Sequence, residues 1–186
     1  MRVISGTLRG TKLETLEGEN TRPTLDRIKE SLFSIIQNRI LDSYVLDLFS
    51  GSGALAIESL SRGAKYAVCC DNNVQAVRII NNNLTKTRLT ESSLVLNKDY
   101  SKCLIELKNK NINFDLIFLD PPYKTSLASN AVKQIIDYNL LAENGIIILE
   151  TDEEERVVKE LQSLETNIYD IRKYGRVKLM FLNRKG

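Results

Sequence analysis

Four consecutive residues, Asp120-Pro121-Pro122-Tyr123, bring together a carboxylate, two prolines and an aromatic ring. An exocyclic amine on a purine is a poor nucleophile because its lone pair is delocalised into the ring. The Asp120 carboxylate and the Pro121 carbonyl are two acceptors that can take both N–H bonds of such an amine and favour a pyramidal nitrogen with its lone pair free. The prolines fix φ and bring no N–H to compete for those acceptors. Tyr123 offers a face on which an extruded base can stack. Little acid–base machinery is needed if the methyl donor is a sulfonium, since transfer then depends on in-line placement. The tetrapeptide also reads as an ordinary turn. Its place directly after the apolar run 114–119, downstream of a glycine turn, favours the chemical reading.

That glycine turn is Asp47-Leu48-Phe49-Ser50-Gly51-Ser52-Gly53, with an acid at the end of a predicted strand and two glycines where a ligand can approach the backbone. Asp71, beside Asn72, follows Gly51 by 20 residues at the end of the next strand, where a carboxylate can accept both ribose hydroxyls of a nucleoside cofactor. Asp99, past the third strand, can accept from an adenine amino group, with the Tyr100 backbone nearby. Each has a purely structural alternative, as a turn former or as a helix N-cap. The spacing Gly51-x-Gly53-x-x-Ala56 also satisfies a dinucleotide fingerprint, so a nicotinamide enzyme is the competing reading.

Composition removes several other classes. The chain has no histidine, which argues against a zinc enzyme and a Ser-His-Asp hydrolase. Cys69, Cys70 and Cys103 make neither a CxxC pair nor an even framework, and read as small core residues in a reducing compartment. With 186 residues, 42% of them hydrophobic, and no linker-like stretch, the expectation is one domain over 1–186: a small extension, 1–40, and a catalytic core, 41–186. No apolar run approaches a membrane span and the first residues lead into no signal peptide, so a cytoplasmic protein without a membrane partner is expected. The net charge is only +2, but Arg172, Lys173, Arg176, Lys178, Arg184 and Lys185 crowd the C-terminus with no acid after Asp170. They are expected to make a local basic face, either for phosphates or as protection of edge strands.

The elements that would position these residues follow from hydrophobic period. Strands are predicted at 45–49, 66–70, 94–96, 114–119 and 146–150, the last after a turn at Gly145. Helices are predicted at 54–60, 74–87, 102–110, 129–138 and 153–164 between or after them. Strand–helix–strand units imply parallel strands, and the continuous apolarity of 116–119 marks a central one. Residues 168–174 and 177–182 are separated only by Gly175-Arg176, which suits a hairpin and forbids a parallel crossover. The fold class is therefore α/β: a Rossmann-like, doubly wound, mostly parallel seven-stranded sheet ending in an antiparallel hairpin. That ending, and the lack of a second domain to hold a hydride acceptor, count against the nicotinamide reading. A helix should begin near Thr24 after Arg22-Pro23, and 1–20, with Gly6, Gly10 and Gly18, should form a small β-hairpin outside the sheet.

With these residues in place, the chain resembles the RsmD family of class I methyltransferases over essentially its full length. The matching segments are Arg2-Val3-Ile4-Ser5-Gly6 with Arg9-Gly10, Arg22-Pro23-Thr24 with Arg27 and Glu30, the glycine turn through Leu55, Ser61-Arg62-Gly63-Ala64, and the tetrapeptide. The Arg-Pro-Thr segment with its helix is the specific part; the turn and tetrapeptide are shared across the superfamily. The resemblance implies S-adenosyl-L-methionine as cofactor and N2 of a guanine in 16S ribosomal RNA as target, within an assembling or assembled small subunit, by a monomer. It implies a cofactor site lined by Arg22, Thr24, Asp47, Phe49, Gly51, Gly53, Asp71, Asn72, Asp99, Tyr100 and Asp120, with Arg22 to Thr24 near cofactor or RNA. Asp120, Pro121, Pro122 and Tyr123 would hold the amine. Family members usually carry Glu where this chain has Asp71. A DNA or RNA adenine-N6 methyltransferase shares the tetrapeptide, but a DNA enzyme normally needs a target-recognition insert, for which this chain has no room. A noncatalytic RNA-binding relative is the other alternative.

Overall fold

The chain runs α1 (Pro23–Ile35), β1 (Tyr44–Asp47), α2 (Ala54–Ser61), β2 (Tyr66–Asp71), α3 (Val74–Thr87), β3 (Ser93–Asn97), α4 (Tyr100–Asn109), β4 (Phe114–Leu119), α5 (Leu127–Asp137), β5 (Leu141–Thr151), α6 (Glu154–Leu161), β6 (Thr166–Tyr174) and β7 (Val177–Arg184). The computed structural model describes residues 1–16, 23–122 and 125–185. Its strands form one seven-stranded sheet in the order β3-β2-β1-β4-β5-β7-β6. The first five are parallel, and β7 runs antiparallel to both β5 and β6. Because β1 has β2 on one side and β4 on the other, the winding reverses there, and the crevice outside the carboxyl ends of β1 and β4 is where an open α/β sheet takes a ligand.

Alternation along the strands builds two apolar layers. Leu46, Val68, Cys70, Ile117 and Leu119 face α4, α5 and α6, with Leu104, Val132, Ile135 and Val157 in the same cluster. Val45, Ala67, Cys69, Leu116 and Phe118 face the other way, clustered with Phe33 of α1, Ile36 just after it, Ile57 of α2 and Ile80 of α3. Both faces being covered explains why the central strands are apolar at every position rather than at alternate ones. All three cysteines are buried and unpaired, as core residues should be. Burial first, and the nearby Asp47 charge second, push the Cys69 thiol well above its usual value.

Two expectations are corrected and one is met in reduced form. Gly145 is not a turn ahead of β5 but lies within it: β5 bulges, so that Phe114 and Leu116 of β4 pair with Leu141 and Ile146. A side chain at Gly145 would come within 2.8 Å of the Phe114 carbonyl oxygen, so the bulge, not a turn, requires glycine. The hairpin expected over 1–20 is present in minimal form: among the described residues it is one antiparallel bridge, Arg2 with Lys12, supported by Val3 N–H to the Thr11 carbonyl (2.9 Å) and Leu13 N–H to the Met1 carbonyl (2.9 Å). Residues 17–20, including Gly18, lie outside the described residues. The C-terminal cations do not gather at one end of the sheet. Lys173 pairs across the hairpin with Lys178 at one end, while Arg184 lies opposite Thr166 at the other, because an eight-residue strand carries its two ends to opposite edges of the sheet.

Candidate active site

The half of the carboxyl edge formed by β1, β2 and β3 is held together by its own acids. Gly51 and Gly53 have φ of +53° and +75°, the left-handed region that the tight turn demands and that glycine enters without strain. Ser50 staples the turn to β2: its hydroxyl accepts from Cys70 N–H (3.0 Å) and donates to the Asp47 carbonyl (2.6 Å). Asp71 then straps the turn from the side. One carboxylate oxygen accepts from Gly51 N–H and the other from Asn73 N–H, both at 2.9 Å. Asp71 is therefore not the N-cap of α3; Asn73 is, accepting from Gln75 N–H at 2.8 Å, a cap worth about 1 kcal/mol. Each Asp71 oxygen retains a lone pair, and the side chain is half-buried at the strand end.

Asp47 sits beneath the turn, 2% exposed, accepting from Ala56 N–H at 3.3 Å. Burial pushes its carboxyl up to about 7; the Ala56 bond opposes this and the Asp71 charge adds to it. Asn72 is exposed beside Asp71. Asp99 is the N-cap of α4, accepting from Ser101 N–H at 3.0 Å, and it is exposed, so the capping role leaves an oxygen facing outward. Phe49, in the turn, and Tyr100, at the start of α4, lie ring to ring with centroids 5.7 Å apart. They supply the aromatic surface that a nucleoside base needs at this edge. Acceptors for ribose hydroxyls, an acceptor for an adenine amine, an aromatic wall and a carboxylate-rich edge fit a cationic adenosyl cofactor.

The tetrapeptide comes off β4 next to this turn. Asp47 pairs with Phe118, and Leu48 N–H donates to the Phe118 carbonyl (3.2 Å), so Asp120 emerges alongside Phe49. Asp120 and Pro122 are exposed and Pro121 is buried. Tyr123 lies outside the described residues, as does Arg22; Thr24 falls in the first turn of α1.

Several positioning residues were not legible in the sequence. The first group docks the N-terminal segment. Glu58, fully buried on α2, accepts from Ile4 N–H (2.8 Å), Ser5 N–H (3.0 Å) and Arg62 Nε (2.8 Å), and pairs with Lys29 of α1 at 3.2 Å. Burial lowers the Lys29 pKa against the raising pull of Glu58. Buried Asn83 of α3 binds both Glu14 N–H (2.8 Å) and the Glu14 carbonyl (3.0 Å), and donates to the Ser52 carbonyl of the glycine turn (3.0 Å). The second group lies on α6. Arg156 Nη2 donates to the Thr125 carbonyl (2.8 Å), Thr125 Oγ1 donates to the Pro122 carbonyl (2.8 Å), and Glu160 bonds Ser129 of α5. A helix remote in sequence thus grips the segment that follows the tetrapeptide. Helical amphipathicity predicts α6 but carries no sign of this grip.

The comparisons with known proteins agree with this geometry. A family model described as conserved hypothetical protein 95 matches residues 1–183. A Bacillus subtilis protein named as a candidate rRNA methyltransferase, YlbH, is 39% identical over 83% of this chain and 84% of its own. Ribosomal RNA small subunit methyltransferase D of Haemophilus influenzae is 35% identical over 85% of this chain and 82% of its own. Among solved structures, a candidate methyltransferase of Escherichia coli, yhhF, superposes with a TM-score of 0.83 at 25% identity, covering 100% of this chain and 98% of that one. The match along nearly the whole length, the identity to these relatives and the shared sheet order have one consequence: the chain belongs to the RsmD family of class I methyltransferases.

Proposed function

We propose that this protein transfers a methyl group from S-adenosyl-L-methionine to the N2 amine of a guanine in 16S ribosomal RNA, within an assembling or assembled small subunit. The observation that carries the reading is the adjacency of the glycine turn on β1 and the Asp-Pro-Pro segment on β4, fixed by the pairing of Asp47 with Phe118. The relatives named as small-subunit methyltransferases support the choice of substrate. Residues 1–186 act as one catalytic unit, with 1–40 as its extension.

S-adenosyl-L-methionine supplies a methyl group already activated on a sulfonium. Asp71 takes the ribose hydroxyls with the lone pairs left over from strapping the turn. Asp99, Tyr100 and Phe49 take the adenine, Gly51 and Gly53 keep the backbone open, and Asp47 with Asn72 completes this wall. Asp120 and the Pro121 carbonyl accept the two N–H bonds of the target amine. Pro122 stiffens the segment and Tyr123 stacks on the base. Arg22 and Thr24 lie toward the cofactor or the RNA. No histidine is required: in-line placement brings the amine to the activated methyl group, and the proton that the methylated nitrogen sheds leaves along its hydrogen bond to the Asp120 carboxylate and on to water.

Methyl transfer from labelled cofactor to naked 16S RNA, partly assembled small subunits and duplex DNA tests the reading. N2-methylguanosine in RNA or particles is the expected product. Label confined to DNA, or recovered as N6-methyladenosine, would sink it, and no transfer from folded protein to any of the three would favour a binding module.

A further inference from the structure

The glycine turn rests on a helix as well as on the strands around it. A side chain at Gly53 would come within 3.3 Å of Ile80 Cγ2, so the turn lies directly against the middle of α3. One helical turn further along, Asn83 donates to the carbonyl of Ser52, the residue between the two glycines, at 3.0 Å. The same stretch of α3 carries the N-terminal segment. Leu13 is buried in one cluster with Ile80 and Leu84, the Lys12 carbonyl accepts from Lys86 Nζ (2.7 Å), and the Glu14 carboxylate accepts from Asn82 Nδ2 (3.1 Å). Turn and segment are thus docked on one helix, and Asn83 is bonded to both.

Its bonds are not interchangeable. Oδ1 accepts from Glu14 N–H (2.8 Å), while the two hydrogens of Nδ2 go to the Glu14 and Ser52 carbonyls, both at 3.0 Å. Both donors of the amide are then in use. The torsion that turns an Asn amide is broad and two-fold, so its two ends exchange at little intrinsic cost. Here only one orientation serves. Flipped, Oδ1 would face two carbonyl oxygens and Nδ2 would face an N–H. The backbone of Glu14 therefore decides which end of the amide Ser52 meets. Asn83 is fully buried and Ser52 is buried beside it, so a Ser52 carbonyl deprived of this donor loses it inside the protein.

We infer that Asn83 is a positioning residue that couples the docking of residues 1–14 to the shape of the cofactor turn, so that S-adenosyl-L-methionine binds tightly only when this segment is seated. This rests on the placement of the cofactor at the glycine turn and adds a requirement in the first 14 residues. Coupling of this kind is reciprocal: the cofactor in turn tightens the seating of the segment by the same factor.

The test uses the full-length protein, with cofactor affinity read by calorimetry well below the melting temperature, so that each variant is compared in its folded state. Glu14→Pro removes the N–H that orients the amide and leaves Asn83 and the turn unaltered in sequence. It should weaken S-adenosyl-L-methionine binding by about 10-fold, the effect of one buried hydrogen bond. Asn82→Ala removes only the bond to the Glu14 side chain and should bind within about twofold of the wild type. Asn83→Ala should weaken binding by about the same 10-fold as Glu14→Pro, and joining the two should add nothing. A Glu14→Pro protein that melts earlier but binds the cofactor as the wild type does would overturn the coupling and leave Asn83 an anchor of the fold. A second measurement needs no variant. Saturating S-adenosyl-L-methionine should slow hydrogen exchange at the Val3 and Leu13 amides, which bond the Thr11 and Met1 carbonyls, by about 10-fold; unchanged exchange would overturn the coupling as well. Asp71→Ala separates this inference from the reading beneath it. Affinity that falls there but not in Glu14→Pro rejects the coupling alone, and affinity untouched in both rejects the placement of the cofactor at the turn.

Discussion

The two halves of the sheet's carboxyl edge are built in opposite ways. On the β1–β2–β3 side the acids are tied into the backbone: Asp71 to Gly51 and Asn73, Asp47 to Ala56, Asp99 to Ser101. On the β4–β5 side Asp120 and Pro122 stand exposed, and the chain after them is gripped from a distance by Arg156 through Thr125. A site organised by bonds inside its own turn is rigid before any ligand arrives. A site gripped by a separate helix depends on that helix for its placement. The first arrangement suits a small cofactor of fixed shape; the second suits one nucleotide drawn from a large RNA.

The contrast is sharpest at Asp120. Asp120→Ala should lower kcat by about 100–1,000-fold, comparable to removing one preorganised group that acts in a transition state, with cofactor affinity by calorimetry unchanged. A collapse of cofactor affinity in that variant would dissolve the division between the halves. Asp71→Ala should do the reverse, weakening cofactor binding by about 30-fold through loss of charge-assisted hydrogen bonds; unchanged affinity would refute the ribose contact. Arg156→Ala releases the Thr125 carbonyl and should slow transfer by about 10-fold at constant cofactor affinity, with Arg156→Lys recovering part of the rate. A loss of cofactor binding there would mean that α6 serves the whole edge.

The smallest expected effect concerns Asp47, whose pKa is raised to about 7 in the fold from an ordinary 3.8. An acid that holds its proton more tightly when folded contributes fully below pH about 4 and loses that contribution as pH rises through about 7. Asp47→Asn cannot ionise, so its melting temperature should fall less between pH 5 and pH 8 than that of the wild type, and exceed it at pH 8. Parallel profiles for the two proteins would show that Asp47 is not buried as a proton-holding group.

Much of this was legible in the sequence because it depends on local pattern. The glycine turn, the central strand 114–119 and the hairpin at Gly175 follow from apolar period and turn chemistry over a few residues, and the structure has them at those places. What could not be read depends on contacts between segments far apart. Glu58 looks like an ordinary helix acid, yet it is fully buried and organises the first five residues; Asn83 looks like a surface polar residue on α3, yet it ties residue 14 to Ser52. The bulge that places Gly145 inside β5 depends on its neighbour β4. The C-terminal cations mislead for the same reason, since closeness in sequence along a strand becomes separation across the sheet. Among the described residues, no helix is long and apolar enough to cross a membrane.

The most direct measurement of the central claim is the identity and position of modified nucleosides in ribosomal RNA from cells with and without this gene, read by mass spectrometry. The account predicts that one N2-methylguanosine disappears from 16S RNA on deletion and returns with the wild-type gene but not with Asp120→Ala. An unchanged set of 16S modifications, or the loss of a methyladenosine instead, would contradict it.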